Sequence, residues 1–318
     1  MPAIEILVLG SIHQDLVIQG SRLPTPGETV LGGEFYQVNG GKGANQAVAS
    51  CRAGNHPVWL CSAVGADPLG ETALNELTAE GLITEAICRS SEGATGVALI
   101  LVDQQGENCI SVASGANQLL TVNDLPPATA SIWRTGNYLL ASLEVPWETV
   151  SAALSLARAN GMTTVLNPAP ANAQLAQPGQ LQHVDLITPN AQEASLISGI
   201  DVDDIQSAYQ AAKILQEMGP RNVIITLGKQ GLILRQGEKD LYIAAQPVEA
   251  VDTTAAGDCF NGALVAALAS GKSLPTAARW ASGAAALSVT RRGAQPSLPD
   301  HQQIDQWWQT FDNGKPDT

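Results

Sequence analysis

The sequence predicts an α/β protein with a mostly parallel central sheet, helices on both faces, and a small β-sheet projecting from it. Apolar runs of strand length alternate with helix-period segments, a pattern that parallel crossovers produce. At 318 residues and 45% hydrophobic content, the chain can bury a large core. Two early stretches break the alternation with hairpin-like patterning, and these predict the projecting sheet.

Residues 4–9 are the first buried strand. Strands at 16–18 and 34–38 flank the turn signal Pro24-Thr25-Pro26-Gly27, and strands at 95–102 and 108–113 flank Asp103-Gln104-Gln105-Gly106. They fall within about 12–38 and 94–114, as a lid inserted in one domain spanning 1–318. Its edges need covering, by ligand or by a second subunit. Ala44, Ala47, Val48 and Cys51 keep the i, i+3, i+4, i+7 helical spacing until Gly54. A strand at 58–64 follows. Further strands at 138–140, 163–166, 184–188 and 223–227 alternate with helices at 147–159 and 203–218, and helices at 257–269 and 274–290 complete the pattern.

The net charge of −14 and pI near 4.6 argue against a general nucleic-acid or anionic-membrane surface. Five scattered cysteines without a C-x-x-C pair suit reduced thiols in a cytoplasmic protein. No leader peptide or membrane span is read.

Asp252-Thr253-Thr254-Ala255-Ala256-Gly257-Asp258 opens directly onto an apolar helix. Small side chains there let backbone amides approach an anion, while Asp258 offers a base. The alternative is an acid that merely stabilises its own helix. Asn39-Gly40-Gly41-Lys42-Gly43-Ala44-Asn45 is a second glycine-rich helix start, with the wrong spacing for a Walker A loop. Gly10-Ser11, Asn167-Pro168, Pro189-Asn190 and Gly228 sit where strands end at their carboxyl edge, the ligand-binding edge of open α/β sheets.

Together these segments resemble the ribokinase family of sugar kinases over nearly the whole chain. Residues 40–45 match its G-G-K-G-x-N signature and residues 252–258 its D-T-x-A-A-G-D signature. The resemblance implies a ribokinase-like fold and transfer of phosphate from ATP to a free sugar, D-ribose at its 5-hydroxyl being the first expectation. It makes Asp258 the base and Ala255, Ala256 and Gly257 part of the anion hole. It assigns the sugar to His13, Asp15, Gly41, Lys42, Asn45 and Glu144, and the nucleotide to Asn190, Thr226, Gly228, Gly257 and Ser282. Asn190 and Glu193 match an N-x-x-E pattern associated with Mg2+, against the alternative of a helix cap with a surface acid. A monovalent-cation site, K+ by the same resemblance, implicates Asp252, Thr254, Ser288, Arg291, Gly293 and Ser297. The resemblance also implies a homodimer paired through the lid sheets.

One departure bears on specificity. Ser11-Ile12-His13-Gln14-Asp15 carries His13 where the family pattern S-I-N-x-D has Asn, and the approach to Gly40 is one residue shorter. His13 is either a sugar contact or a wall residue. Kinases for fructose, another pentose, a phosphosugar or a nucleoside are the enzymatic alternatives, and a non-catalytic sugar or nucleotide sensor is the alternative of another class.

Overall fold

The computed structural model describes residues 3–311. The first strand, β1 (Ile6–Leu9), alternates its side chains between two cores. Ile6 and Val8 join the apolar cluster on one sheet face, Leu7 and Leu9 the cluster on the other, as a strand buried on both sides must. The chain then leaves the core as β2 (His13–Gln19) and β3 (Glu34–Gly40). It returns through α1 (Lys42–Ala53), β4 (Val58–Gly65), α2 (Pro68–Ala79) and β5 (Ile87–Ser90). A second excursion forms β6 (Gly96–Val102) and β7 (Asn108–Ala113).

The remainder winds through β8 (Tyr138–Ala141), α3 (Trp147–Ala159), β9 (Thr163–Leu166), β10 (Leu186–Ile187), α4 (Ala191–Ser198), α5 (Ile205–Glu217) and β11 (Asn222–Thr226). It ends in the hairpin β12 (Leu232–Gln236) and β13 (Lys239–Ile243), then α6 (Ala256–Ala269), α7 (Leu274–Ser288) and α8 (His301–Phe311).

The large sheet has nine strands in the order β13-β12-β11-β10-β9-β8-β1-β4-β5. Its pairs are parallel from β11 through β5, and β12 alone is reversed, pairing antiparallel with both β11 and β13. The four-stranded second sheet, β3-β2-β6-β7, is the predicted lid. Its outer strand β7 is exposed along its whole length, and Leu99, Ile110 and Val112 are each half or more exposed.

Helices α2, α4 and α8 and strands β5, β12 and β13 escape the apolar-run reading. Helix α2 buries only a narrow stripe and owes its start to Asp67, which accepts from the Gly70 amide ahead of Pro68. Strand β5 lies at the sheet edge with no residue fully buried. The second strand of the β12–β13 hairpin is mostly exposed, with only Ile243 buried. The strand expected at 184–188 narrows to β10, yet Asp185 and Thr188 continue its backbone pairing to Thr164 and Leu166.

Helix α6 is buried around most of its circumference, because it lies between the sheet, α1 and α7. A Cβ on Gly262 would come within 2.5 Å of the Ala49 Cβ and the Gln46 carbonyl. That glycine lets α1 and α6 cross closely, and the crossing brings two sequence motifs together.

Candidate active site

Asp258 lies in the first turn of α6 and is almost completely buried. Its Oδ2 accepts from Asn45 Nδ2 and its Oδ1 from Gln46 Nε2, each at 3.0 Å. Burial raises its pKa; the Lys42 ammonium and the two amide donors oppose that rise, and Glu144 adds to it. Lys42 in turn is held above its ordinary value, chiefly by Asp258, with further help from Glu144 and Glu193 against burial. The two glycine-rich motifs therefore share one buried ionic centre.

The turn before Asp258 has an unusual backbone. Ala255, the N-cap of α6, sits at φ 59° and ψ 13°, a left-handed conformation that costs a non-glycine residue about 1–3 kcal/mol. Ala256 N–H donates to Thr253 O and Cys259 N–H to Ala255 O. Gly257 stands exposed above the buried Asp258, and amides in a first helical turn lack intrahelical acceptors. The start of α6 can thus hold an anion directly over a carboxylate.

Helix α1 starts differently. Its N-cap, Gly41, supplies no side-chain acceptor, and Glu144, arriving from beyond β8, does so instead. Its Oε2 accepts from the Lys42 amide at 3.0 Å and from the Ser11 hydroxyl. Strand β2 presents His13 and Asp15 on one face, two residues apart. A Cβ on Gly40 would collide with the Asp15 carboxylate, so the glycine run makes room for that acid. Burial, then Glu144 and Asp258, push the Asp15 carboxyl up to about 6.

His13 is 3% exposed. Burial lowers its pKa, outweighing Glu144, which raises it, and Lys42 lowers it further. The imidazole is consequently neutral at pH 7, and the 3.8 Å approach of Nδ1 to Glu144 Oε2 is not an ion pair there. Its Nε2 has no protein partner. The same holds for Asn45 Oδ1. Two buried polar atoms without partners, in the motifs assigned to the sugar, are what a hydroxyl-rich ligand would satisfy.

Asn190 and Glu193 form a reciprocal capping box at the start of α4: Asn190 Oδ1 accepts from the Glu193 amide and Glu193 Oε2 from the Asn190 amide, both at 2.9 Å. The helix-cap alternative is therefore correct as far as it goes, but Glu193 is buried, not a surface acid. Burial raises its pKa, against the Asn190 hydrogen bond and Lys42, while Asp258 adds to the rise. Asn190, Thr226 and Gly228 line one cavity of about 250 Å3. Another cavity, of about 270 Å3, lies in the lid around Ile18, Pro24, Val30 and Leu101, and contains no residue assigned to the site.

The segments around Asp252 and Gly293 also meet. Asp252 accepts from the Thr254 amide at 2.9 Å and from the Gly293 amide at 2.8 Å. Burial would raise its pKa, but these bonds and Arg292 hold it below the ordinary value. Val289 O takes both the Val251 and the Asp252 amides, and the Arg291 amide donates to Ser288 O. The Ser288 and Ser297 hydroxyls are buried and donate to carbonyls of their own turns. Ser282 lies on α7 with its hydroxyl on Ala278 O, outside this network.

Sequence reasoning missed Gln46 and Asn261. Gln46 Nε2 also donates to Asn167 Oδ1 at 3.0 Å, Asn167 Nδ2 to Thr188 O at 3.1 Å, Thr188 Oγ1 to Asn261 Oδ1 at 2.5 Å, and Asn261 Nδ2 to Gly257 O at 2.8 Å. The available signal was a polar residue at a core position of an apolar helix, the informative exception in a buried segment.

Residues 3–301 match the model of the pfkB family of carbohydrate kinases. The chain belongs to that family, whose members are phosphotransferases acting on sugars. It is similar to the ribokinase of Haemophilus influenzae, at 42% identity over 94% of this chain and 96% of that one. Among solved structures it resembles the ribokinase of Giardia lamblia, with a TM-score of 0.88 and 29% identity over 98% of this chain and 100% of that one. The Arabidopsis thaliana ribokinase complexed with ribose and ATP superposes with a TM-score of 0.85, at 27% identity over 96% and 99% of the two chains.

Proposed function

We propose that this carbohydrate kinase transfers the γ-phosphoryl group of ATP to the 5-hydroxyl of D-ribose, with Asp258 as the base. The observation that carries the reading is the buried Asp258 carboxylate under the exposed first turn of α6, hydrogen-bonded to Asn45 of the other helix start. Phosphoryl transfer depends mainly on alignment and charge stabilisation. A carboxylate adjoining helix-start amides supplies both the proton acceptor and the anion hole from Ala255, Ala256 and Gly257.

Ribose is hydroxyl-rich, and the groups assigned to it have matching capacity. Asp15 and Glu144 accept, Lys42 donates, and Asn45 and neutral His13 can each do either, while Gly41 lets the strand approach. ATP would place its phosphates between the start of α6 and the cavity of Asn190, Thr226 and Gly228, with adenine toward Ser282. Among the described residues no three His, Cys, Asp or Glu side chains cluster as a metal cage. The oxygens of Asn190 and Glu193 nevertheless fit Mg2+, which keeps several waters and needs one or two protein donors beside phosphate oxygens. Bound there, it would neutralise phosphate charge.

The Asp252 carboxylate, the carbonyl-rich turns at Ser288, Arg291 and Gly293, and the hydroxyls of Thr254 and Ser297 likewise fit K+. Their hydrogen bonds tie that segment to the anion-hole turn, so a cation there would stiffen the turn that holds Asp258. The lid and core act as one domain, and two lids pair to cover the apolar strands at Leu99, Ile110 and Val112. Five cysteines without a disulfide support a reducing, cytoplasmic setting.

The decisive experiment measures ADP release with Mg-ATP and ribose, fructose, other pentoses, adenosine or fructose 6-phosphate, each with and without potassium. Potassium-stimulated turnover preferring ribose at least tenfold in kcat/KM is expected. Preference for another acceptor would remove ribose while keeping the kinase. Sugar binding without ADP release would point to a sensor.

A further inference from the structure

The carboxylate of Asp258 is held at both oxygens, by consecutive residues of α1 with unlike surroundings. Each has an acceptor oxygen without a partner, but Asn45 retains slight exposure, at 5%, in the segment facing the sugar. Gln46 is fully buried, and its Nε2 donates to both Asp258 and Asn167. A ligand can therefore compete for Asn45 but has no access to Gln46.

We infer that Gln46 is a positioning residue: it anchors Asp258 Oδ1, so that Oδ2 alone is presented to the sugar hydroxyl, and it ties that carboxylate to the anion-hole turn. The tie is continuous. From Gln46 it passes to Asn167, which holds Thr188 O; the Thr188 hydroxyl then reaches Asn261, which donates to Gly257 O. One buried amide chain therefore begins on the base and ends on the carbonyl of the residue preceding it. The donor side of this chain is made at every link, and such networks restrict side-chain geometry, although Gln46 Oε1 itself has no partner.

The close α1–α6 crossing at Gly262 sets the distance, and Ser50 Oγ reinforces it by bonding both Gln46 O and Gly262 O, at 2.8 and 3.2 Å. Loss of the Gln46 donor would let the carboxylate rotate toward Lys42, the charged group that attracts it, and away from the acids Glu144, Glu193 and Asp15 that face it. The reacting oxygen would then be misplaced without any loss of sugar contacts.

This inference rests on Asp258 being the base, and the test separates the two. Gln46→Met and Gln46→Glu nearly keep the side-chain volume, so the α1–α6 crossing is preserved. Each is assayed beside Asp258→Asn with ribose and Mg-ATP. The expected result for Gln46→Met is a fall in kcat of about tenfold to a hundredfold, the effect of one hydrogen bond to a charged group, with both KM values within about threefold. Gln46→Glu, which sets a second carboxylate against Asp258, falls at least as far. Collapse of Asp258→Asn alongside a Gln46→Met enzyme of unchanged kcat would overturn the positioning role alone. Matching losses in kcat and ribose affinity would overturn it too, by making Gln46 part of the sugar site. Near-normal turnover of Asp258→Asn would remove the base and the inference together.

Discussion

Asn45 Nδ2 donates to Asp258 Oδ2 at 3.0 Å, joining residues 213 positions apart. The contact fuses two helix starts, each of which has a commonplace explanation when read alone. Neither carboxylate oxygen of Asp258 is left to water, and Lys42 keeps the charge compensated. A buried acid whose pKa burial raises, with Lys42 and two amides beside it, is suited to accept a proton from a ligand, since stability of α6 alone would be served by an exposed one.

Asp258→Asn should therefore lower kcat by about a hundredfold to ten-thousandfold, the usual contribution of a general base, with ribose affinity changed little. Isothermal titration with ribose beside steady-state kinetics separates the two effects. A variant that turns over at near-normal rate would eliminate the proposed base.

Gly262→Ala should damage the site from a distance. The added methyl meets the Ala49 Cβ and the Gln46 carbonyl at 2.5 Å, and overpacking of that kind typically costs about 1–3 kcal/mol. Separation of α1 from α6 also lengthens the Asn45 and Gln46 contacts to Asp258. The expected outcome is a lowered Tm by calorimetry and a kcat reduced in the folded enzyme at 25 °C. Unchanged kcat would mean that the helix crossing does not set the carboxylate's position.

The mostly parallel sheet and the lid were legible because strand-length apolar runs and the turn signals at residues 24–27 and 103–106 survive in the sequence, whereas the strand order, set by long-range pairing, was not. Helix α2 was not, since Asp67 and Pro68 start a helix that is mostly solvated and leaves a weak apolar stripe. At the site, Asp258, Lys42 and Asn45 could be read from composition around helix starts. Gln46 left only the signal of a polar residue at a core position of α1; its role depends on α6 packing beside it, a tertiary fact. Glu144 was legible only through the family resemblance, and its capping of α1 from beyond β8 shows why, for nothing near it in sequence needs an acid.

Asp15 makes ribose binding and stability respond to pH in opposite senses. Its folded carboxyl is raised from the ordinary 3.8 to about 6 by burial and by the nearby Glu144 and Asp258. The folded state thus disfavours its ionisation: the penalty is absent below about pH 4, grows between there and pH 6, and is complete above. Asp15→Asn should raise Tm at pH 7.5, with a gain that vanishes toward pH 4, while weakening ribose binding severely. In the unmodified enzyme, KM for ribose should climb as pH falls through about 6, because protonation removes an acceptor. A KM independent of pH from 5 to 7 would exclude Asp15 as an ionised sugar ligand.

Asn190 and Glu193 permit a cleaner separation of folding from metal handling. Asn190→Ala removes the side-chain acceptor for the Glu193 amide and should cost about 1 kcal/mol, the usual loss of an N-cap. Glu193→Gln keeps an oxygen for the Asn190 amide, so the box and Tm should be nearly retained. It removes the negative charge, and with it the attraction for a divalent cation. The Mg2+ concentration for half-maximal activity at fixed ATP should then rise several-fold in Glu193→Gln. If that concentration stays unchanged while Tm falls, the pair is a helix cap and nothing more.

The lid supplies the last test, because its exposed strands make a physical demand. Strand β7 is solvent-facing throughout, and Leu99, Ile110 and Val112 are 55%, 52% and 50% exposed on paired strands. The register sets Leu99 on one face of the sheet with Ile18 and Phe35, and Ile110 and Val112 on the other, so both faces carry exposed apolar side chains beside an unpaired edge, an arrangement that single chains avoid and that a second copy would cover. Light scattering should give a dimeric mass for the unmodified chain, and Leu99→Lys or Ile110→Lys should shift it toward the monomer. Because His13 and Asp15 lie on β2, bonded directly to β6, loss of lid pairing should also loosen the sugar site and raise ribose KM more than it lowers kcat. A monomeric mass for the unmodified chain at every working concentration would leave the apolar lid without its proposed cover.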